Sequence, residues 1–278
     1  MAVRQITEAA LDPIGTTAYY CCGVRAEDAR APRPLCGDDL ARRFMTDDAQ
    51  AIYAPFRRLT APNATNAARH RIIDDWLREV LSADPRRLII LLGAGFDTRA
   101  FRLHGGEWVE IDQPAIIAEK QLRLPAGEAP NPLTRLAVDF AQERLSDKLA
   151  PWAGARPVVV MEGVSMYLEP PALRATLETL QQLFPGHSLF CDLMTADFNR
   201  RYGGTLRPRI EALGGHFAQL MDHPESEVAA CGYDLKRAVS HFSRAVELGA
   251  LWMPRILLNN VFSCLRNGYR AFWFEARV

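Results

Sequence analysis

Gly93, Gly95 and Asp112 are the residues whose types and spacing best suit the recognition of a small molecule. An apolar run, Leu88-Ile89-Ile90-Leu91-Leu92, ends abruptly in Gly93-Ala94-Gly95. The run reads as a strand buried on both faces. Two glycines at its end let the chain turn tightly and let a ligand approach where a Cβ would block it. A second apolar run, Trp108-Val109-Glu110-Ile111-Asp112, ends in an acid nineteen positions after Gly93. That is about the spacing at which a doubly wound fold sets a carboxylate against ribose hydroxyls. The chemistry implied is the binding of a nucleoside cofactor.

Two further acids follow apolar runs in the same way. Asp139 and Phe140 come after Leu136-Ala137-Val138, and Glu162 after Val158-Val159-Val160-Met161. A carboxylate at the end of a buried strand is costly unless it is given partners. Plainer roles exist: Asp112 could cap a helix opening at Pro114, and Asp139 the helix after it. Glu110 reads equally as a sheet-edge acid or as support for Asp112. Arg69 offers a fork suited to a carboxylate, with Arg71 as its rival. A nicotinamide fingerprint would need a third glycine where this chain has Arg99, so a pyrophosphate cradle is poorly served. An adenosyl cofactor without phosphates does not need that glycine.

These residues need a scaffold of alternating strands and helices. Strands are expected at 88–92, 107–111, 134–138, 157–161 and 187–193, with helices near 113–123, 142–149 and 171–184. Such alternation implies βαβ units and a parallel sheet. Residues 1–85 show helical patterning without a convincing strand, broken at Pro32-Arg33-Pro34 and Ala61-Pro62-Asn63. The best helix there is 64–82, stopped by Asp84-Pro85. Residues 195–223 carry glycines and arginines but no strand, and are too long for a plain connection. They read as a lid or an inserted helical pair. Tyr269–Glu275 reads as a closing strand, able to run antiparallel as a hairpin with a preceding strand. No internal repeat or low-complexity tract is seen.

With 278 residues, 49% of them hydrophobic, the chain can bury a large core. Its 33 basic and 33 acidic residues give no net charge, which argues against a general nucleic-acid surface. None of the six cysteines lies in a C-x-x-C pair, so neither a metal site nor a disulfide framework is expected, and Cys191 and Cys264 read as core. No signal peptide or membrane-spanning stretch is evident, and a soluble cytoplasmic protein is expected.

The block Leu92-Gly93-Ala94-Gly95-Phe96-Asp97-Thr98-Arg99, then Val109-Glu110-Ile111-Asp112-Gln113-Pro114, then Glu162-Gly163-Val164-Ser165-Met166-Tyr167-Leu168, resembles the leucine carboxyl methyltransferase family. More closely it is similar to the bacterial branch typified by polyketide O-methyltransferases of the TcmP type. Thr17-Ala18, Arg25-Ala26-Glu27 and Ala68-Arg69-His70-Arg71-Ile72-Ile73-Asp74 also fit, so the resemblance covers roughly 15–195. It implies an α/β, Rossmann-like class I methyltransferase sheet with helices on both faces. An N-terminal helical cap over 1–85 would precede a core over 86–278, with a lid insertion after the fifth strand. The implied cofactor is S-adenosyl-L-methionine. Arg69 would hold its carboxylate, Gly93 with Gly95 would lie against its methionyl part, and Asp112 would bind its ribose. Asp139 and Phe140 would frame the adenine, and Glu162 would face the methionyl amine; Arg25 is a further candidate. Tyr19, Tyr20, Arg200, Arg201 and His216 are the candidates for binding the acceptor.

The expected reaction is methylation of an oxygen, carboxylate or phenolic, on a small molecule of secondary metabolism. No histidine stands out as a base, which tilts the expectation toward a carboxylate. Methylation of a protein C-terminal carboxylate, a nicotinamide-dependent oxidoreductase and a non-catalytic cofactor-binding module are the alternatives. No nucleic-acid or membrane partner is expected, and self-association into a homo-oligomer is left open.

Overall fold

The computed structural model describes residues 13–140, 142–218 and 221–278. Residues 1–12 of the expected helical segment and 219–220 of the expected insertion lie outside them. Seven strands form one sheet: β1 (Leu88–Leu92), β2 (Glu107–Asp112), β3 (Leu133–Ala137), β4 (Val158–Met161), β5 (Ser188–Met194), β6 (Tyr233–Ser240) and β7 (Tyr269–Ala276). Their order is β3-β2-β1-β4-β5-β7-β6. The first five are parallel, and β7 runs antiparallel to both β5 and β6. The order reverses between β1 and β4, and a doubly wound sheet opens its ligand crevice at that switch point.

The helices are α1 (Pro13–Asp28), α2 (Asp47–Tyr53), α3 (Thr60–Ala83), α4 (Arg99–Arg102), α5 (Pro114–Arg123), α6 (Leu145–Leu149) and α7 (Pro170–Leu183). They continue with α8 (Ala196–Tyr202), α9 (Arg207–Ala212), α10 (Pro224–Ala230), α11 (His241–Glu247), α12 (Arg255–Asn260) and α13 (Ser263–Asn267). Alternation along each strand divides the core. Ile89, Leu91, Val158, Val160 and Phe190 face α3, where they meet Ile72, Ile73, Trp76, Leu77 and Leu81. Ile90, Leu92, Val109, Ile111, Val159, Met161 and Leu189 face the opposite way, onto Leu173, Leu177 and Leu180 of α7. The lower half of α3 is therefore part of the sheet's cover, while its upper half reaches the α1 layer through Ala67.

The five parallel strands lie within a residue of their expected places at either end. α3 starts earlier than expected, at Thr60, because Pro62 falls in its first turn, where a missing N–H costs nothing. The helix expected at 142–149 shrinks to Leu145–Leu149, since the amides of Gln142 and Glu143 both bond to the Asp139 carbonyl in a preceding turn. β6 was not foreseen. It is an edge strand whose Asp234, Leu235, Lys236 and Arg237 are exposed, so it shows no apolar alternation. Cys191 is buried as expected, whereas Cys264 is only partly so.

Candidate functional site

Above the carboxyl ends of β1, β2 and β4 lies a cavity of about 850 Å³, closed by α1, α3, α8 and α9. That is within the range of small-molecule sites. Its floor follows from the glycine turn. The amides of Gly93 and Ala94 both bond to the Ile111 carbonyl, at 2.9 and 3.0 Å, which bends the chain sharply at the end of β1. Gly93 has φ of +73°, and a Cβ there would collide with Val164. Gly95, with φ of +45°, gives its amide to Asp112 Oδ2 at 2.6 Å. Oδ1 of Asp112 accepts the Gln113 amide at 2.8 Å. Asp112 thus ties the glycine turn to the start of α5, with its carboxylate on the cavity wall.

Beside this floor is a buried ion cluster. Arg69 Nε donates to Glu162 Oε1 at 3.1 Å, and its Nη1 to Asp192 Oδ2 at 3.0 Å and to the Tyr269 hydroxyl at 2.7 Å. The Tyr269 hydroxyl in turn donates to Asp192 at 2.5 Å. Arg99 is fully buried, donates to Asp74 at 2.5 Å and to Asp97 at 2.6 Å, and forms an ion pair with Glu162 at 2.7 Å. The His70 ring sits between Arg99 and Arg102, 2.8 Å from each. Burial alone would push the Glu162 carboxyl up; Arg99, His70 and Arg69 override it and hold the group well below the usual carboxylate range. Asp74 is lowered likewise, against burial, by Arg99, His70 and Arg102. His70, Asp97 and Glu162 have donor atoms within 4.8 Å of one another, but the Arg99 guanidinium bonds to all three. The positive charge that a metal would supply is already there.

The far half of the cavity is apolar. Tyr20 of α1, Met166 and Tyr167 of a short turn, Met194, Phe198, Ile210 and Phe217 line it. The Tyr167 and Phe217 rings are 5.5 Å apart, and the Ala218 amide bonds to the Met166 carbonyl at 2.9 Å, strapping the insertion down.

Of the cofactor candidates, Arg69, Gly93, Gly95, Asp112, Phe140 and Glu162 line this one cavity. Asp139 does not; its carbonyl anchors the turn before α6. Glu162, read as the partner of an ammonium group, already has Arg69, Arg99 and His70. Arg25 lines the cavity but is committed to Asp38 and the Phe96 carbonyl, at 2.9 and 2.7 Å. Arg71 binds Asp75 and the Leu35 carbonyl instead. Glu110 is fully buried between Lys120 and Arg135, at 2.9 and 2.8 Å, and joins β2 to α5 and β3.

Of the acceptor candidates, Tyr20 and Arg201 line the cavity. Tyr19 does not, because one helical step turns it away, and its ring packs at a tilt against Phe96 with centroids 4.6 Å apart. Arg200 is exposed and bonded to Asp197, which also holds Arg201. His216 is exposed, and its neighbour Phe217 points inward. Sequence reasoning missed His70, Asp97, Arg99, Asp192, Tyr269 and Asn199 as parts of the site. Asp192 carried a usable signal, a lone acid inside the apolar strand Ser188-Leu189-Phe190-Cys191-Asp192-Leu193-Met194.

Strand order, glycine turn and acid-ended β2 together define a Rossmann-like class I methyltransferase fold. The family model for leucine carboxyl methyltransferase matches residues 18–181, and the chain belongs to that family. A Streptomyces coelicolor protein named "Putative S-adenosyl-L-methionine-dependent methyltransferase" is 30% identical over 205 residues, covering 63% of this chain and 64% of its own. The tetracenomycin polyketide synthesis O-methyltransferase TcmP of Streptomyces glaucescens is 30% identical over 152 residues, 52% of each chain. The match spans just under two thirds of the length of the first of these relatives and half of the second. Among solved structures, one titled as a putative methyltransferase from Thermobifida fusca aligns over 92% of this chain and 94% of its own, with TM-score 0.60 and 14% identity. A DUF574 family protein from Streptomyces avermitilis aligns over 95% and 100%, with TM-score 0.58 and 13% identity. At such identities the likeness is one of fold. Among the described residues no helix is long and apolar enough to cross a membrane.

Proposed function

We propose that this protein is an S-adenosyl-L-methionine-dependent methyltransferase that methylates an oxygen of a small metabolite, a carboxylate or phenolic hydroxyl, in secondary metabolism. The observation that carries this reading is the convergence of Gly93, Gly95, Asp112 and Glu162 on one cavity at the strand switch point. The residues fit the cofactor: Gly93 and Gly95 present bare backbone to the cavity, and Asp112 offers a carboxylate suited to a diol. Asp112 would hold the ribose, Phe140 would cover the adenine, and Gly93 and Gly95 would lie along the methionyl part. Arg69 would bind the methionyl carboxylate. Glu162 would support Arg69 and add negative potential near the methionyl amine.

The cofactor supplies an electrophilic methyl group on a sulfonium. What the chain must add is alignment and the exclusion of water. α1, α8, α9 and the Phe217 strap enclose the apolar half of the cavity and would perform both tasks. The lining carboxylates Asp97 and Glu162 are held as anions by Arg99, so they are poor bases. Calorimetry with S-adenosylhomocysteine tests the reading. Binding in the micromolar range, about −8 kcal/mol, is expected. Failure of the folded protein to bind it, or tighter binding of NAD, would reject the proposal.

A further inference from the structure

The protein spends the three nitrogens of Arg69 unequally. A guanidinium offers one N–H on Nε and two on each terminal nitrogen. Nε donates to Glu162, and Nη1 donates both to Asp192 and to the Tyr269 hydroxyl. Nη2 has a single partner among the described residues, Cys21 Sγ at 3.6 Å, and sulfur is a weak acceptor. Its other N–H is unspent. Arg69, Cys21 and Gly163 all line the cavity. Gly163 has φ of +70°, and a Cβ there would come within 3.1 Å of Nη2 and 3.3 Å of Nη1. The guanidinium therefore lies against bare backbone, with Nη2 beside two residues of the cavity wall.

We propose that Tyr269 is a positioning residue: together with Asp192 it holds Nη1, so that Nη2, beside Cys21, is the arm of Arg69 that meets the carboxylate of the ligand. The ligand's identity rests on the cofactor reading above; the choice of nitrogen and its support rest on the geometry. Tyr269 stands opposite Met194, two residues along the same face of β5 from Asp192. Its hydroxyl accepts from Nη1 at 2.7 Å and donates to Asp192 at 2.5 Å. Burial pushes the Tyr269 phenol well above its ordinary range, against the pull of Arg69, so the proton stays available to Asp192. The His241 ring packs nearly perpendicular to the phenol, with centroids 4.4 Å apart, and steadies it. The Gly163 amide ties Asp192 Oδ1 at 2.6 Å, which fixes the other end of the support. Without the hydroxyl, Nη1 loses an acceptor and Asp192 a donor, and the guanidinium can turn Nη2 toward Asp192 instead of the cavity. With Nε and Nη1 occupied, the carboxylate is held on one nitrogen and not on a two-nitrogen fork.

The test titrates the whole protein with two probes in a calorimeter: S-adenosylhomocysteine, and its decarboxylated form, which keeps the amine and lacks the carboxylate. The unaltered protein is expected to bind S-adenosylhomocysteine at least about tenfold more tightly, the worth of one charge-assisted hydrogen bond. Tyr269→Phe should weaken S-adenosylhomocysteine by about tenfold and leave the decarboxylated probe within about twofold of the parent. Cys21→Asp gives Nη2 a carboxylate from within the chain, and should produce the same selective loss. Retained binding of the decarboxylated probe reports an intact cavity, which a merely structural role for Tyr269 would not predict. Equal affinity of the two probes for the unaltered protein would overturn the proposal. So would S-adenosylhomocysteine affinity that survives in either variant, or that falls together with that of the decarboxylated probe. Should Tyr269→Phe fail to fold, the parent and Cys21→Asp still decide which nitrogen meets the carboxylate. An unaltered protein that binds neither probe rejects the cofactor reading and this role with it. One that binds both, with Tyr269→Phe weakening both alike, keeps the cofactor reading and rejects the positioning role.

Discussion

Asp112 does two jobs with one carboxylate. It accepts the Gly95 and Gln113 amides from within the chain, and in the proposed function its remaining lone pairs would meet the ribose. Asp112→Ala should therefore lower S-adenosylhomocysteine affinity at least about tenfold, since hydrogen bonds to a charged acceptor contribute about 1.5–3 kcal/mol each. Glu110 cannot stand in for it, being buried between Lys120 and Arg135. Unchanged affinity in calorimetry would reduce Asp112 to a structural tie. Arg99 belongs to stability. Arg99→Met leaves Asp74, Asp97 and Glu162 facing one another without their shared cation. A loss of about 3–5 kcal/mol is expected by urea denaturation. The same carboxylates set an acid limit. Asp74, Asp97 and Glu162 are all depressed in the folded protein. Their contribution is fully present above the ordinary carboxylate pKa of about 4 and is lost as pH falls through the lower folded values. Urea midpoints should thus hold from pH 7 to about 5 and drop below about 4, and Asp74→Asn should flatten the drop.

At the scale of elements, β6 shows why an exposed strand hides in a sequence. Among the described residues it pairs with β7 alone, and Asp234, Lys236 and Arg237 leave it no apolar face to announce it. The charges have a physical use, since an uncharged edge would pair with another molecule. Replacing all three with valine should leave the monomer folded and induce concentration-dependent association, visible by light scattering. An unchanged monomer would show that something else protects the edge. β1 and β4 were legible because burial on both faces demands continuous apolar runs, whereas β3, half-buried at the sheet edge, was placed by the alternation of strands and helices. α1 was not legible as a face-specific helix: it is covered on nearly every side, with Gly23 packed against the Tyr53 ring. Surroundings of that kind come from α2 and α3, and no local pattern states them. The rotation that puts Tyr20 in the cavity and Tyr19 against Phe96 is likewise decided by packing.

For the whole molecule, α3 is the decisive joint. Its Arg69 and His70 enter the ion cluster, while Trp76 and Leu77 lie on the sheet. The helical layer and the sheet should therefore unfold together, as one calorimetric transition; two separable transitions would show that the residues before β1 form an independent cap. S-adenosylhomocysteine at a hundred times its dissociation constant should stabilise the protein by about 2.7 kcal/mol. It should also slow proteolysis within 195–223 when an acceptor is present, because α8 and α9 close one side of the cavity. Cleavage at an unchanged rate would mark that segment as a passive surface.

By itself the sequence determined the parallel strands, the glycine turn, the acid that ends β2 and the family. These are local matters: apolar runs, backbone freedom and short spacings. Only the tertiary structure decided which charges meet. Asp192 and Tyr269 lie far along the chain from Arg69, yet all three share hydrogen bonds. Arg200 and Arg201 looked like anion binders until Asp197, on the same helix, took both. Partnership depends on which groups packing brings within about 3 Å, and elements far apart in sequence set that distance.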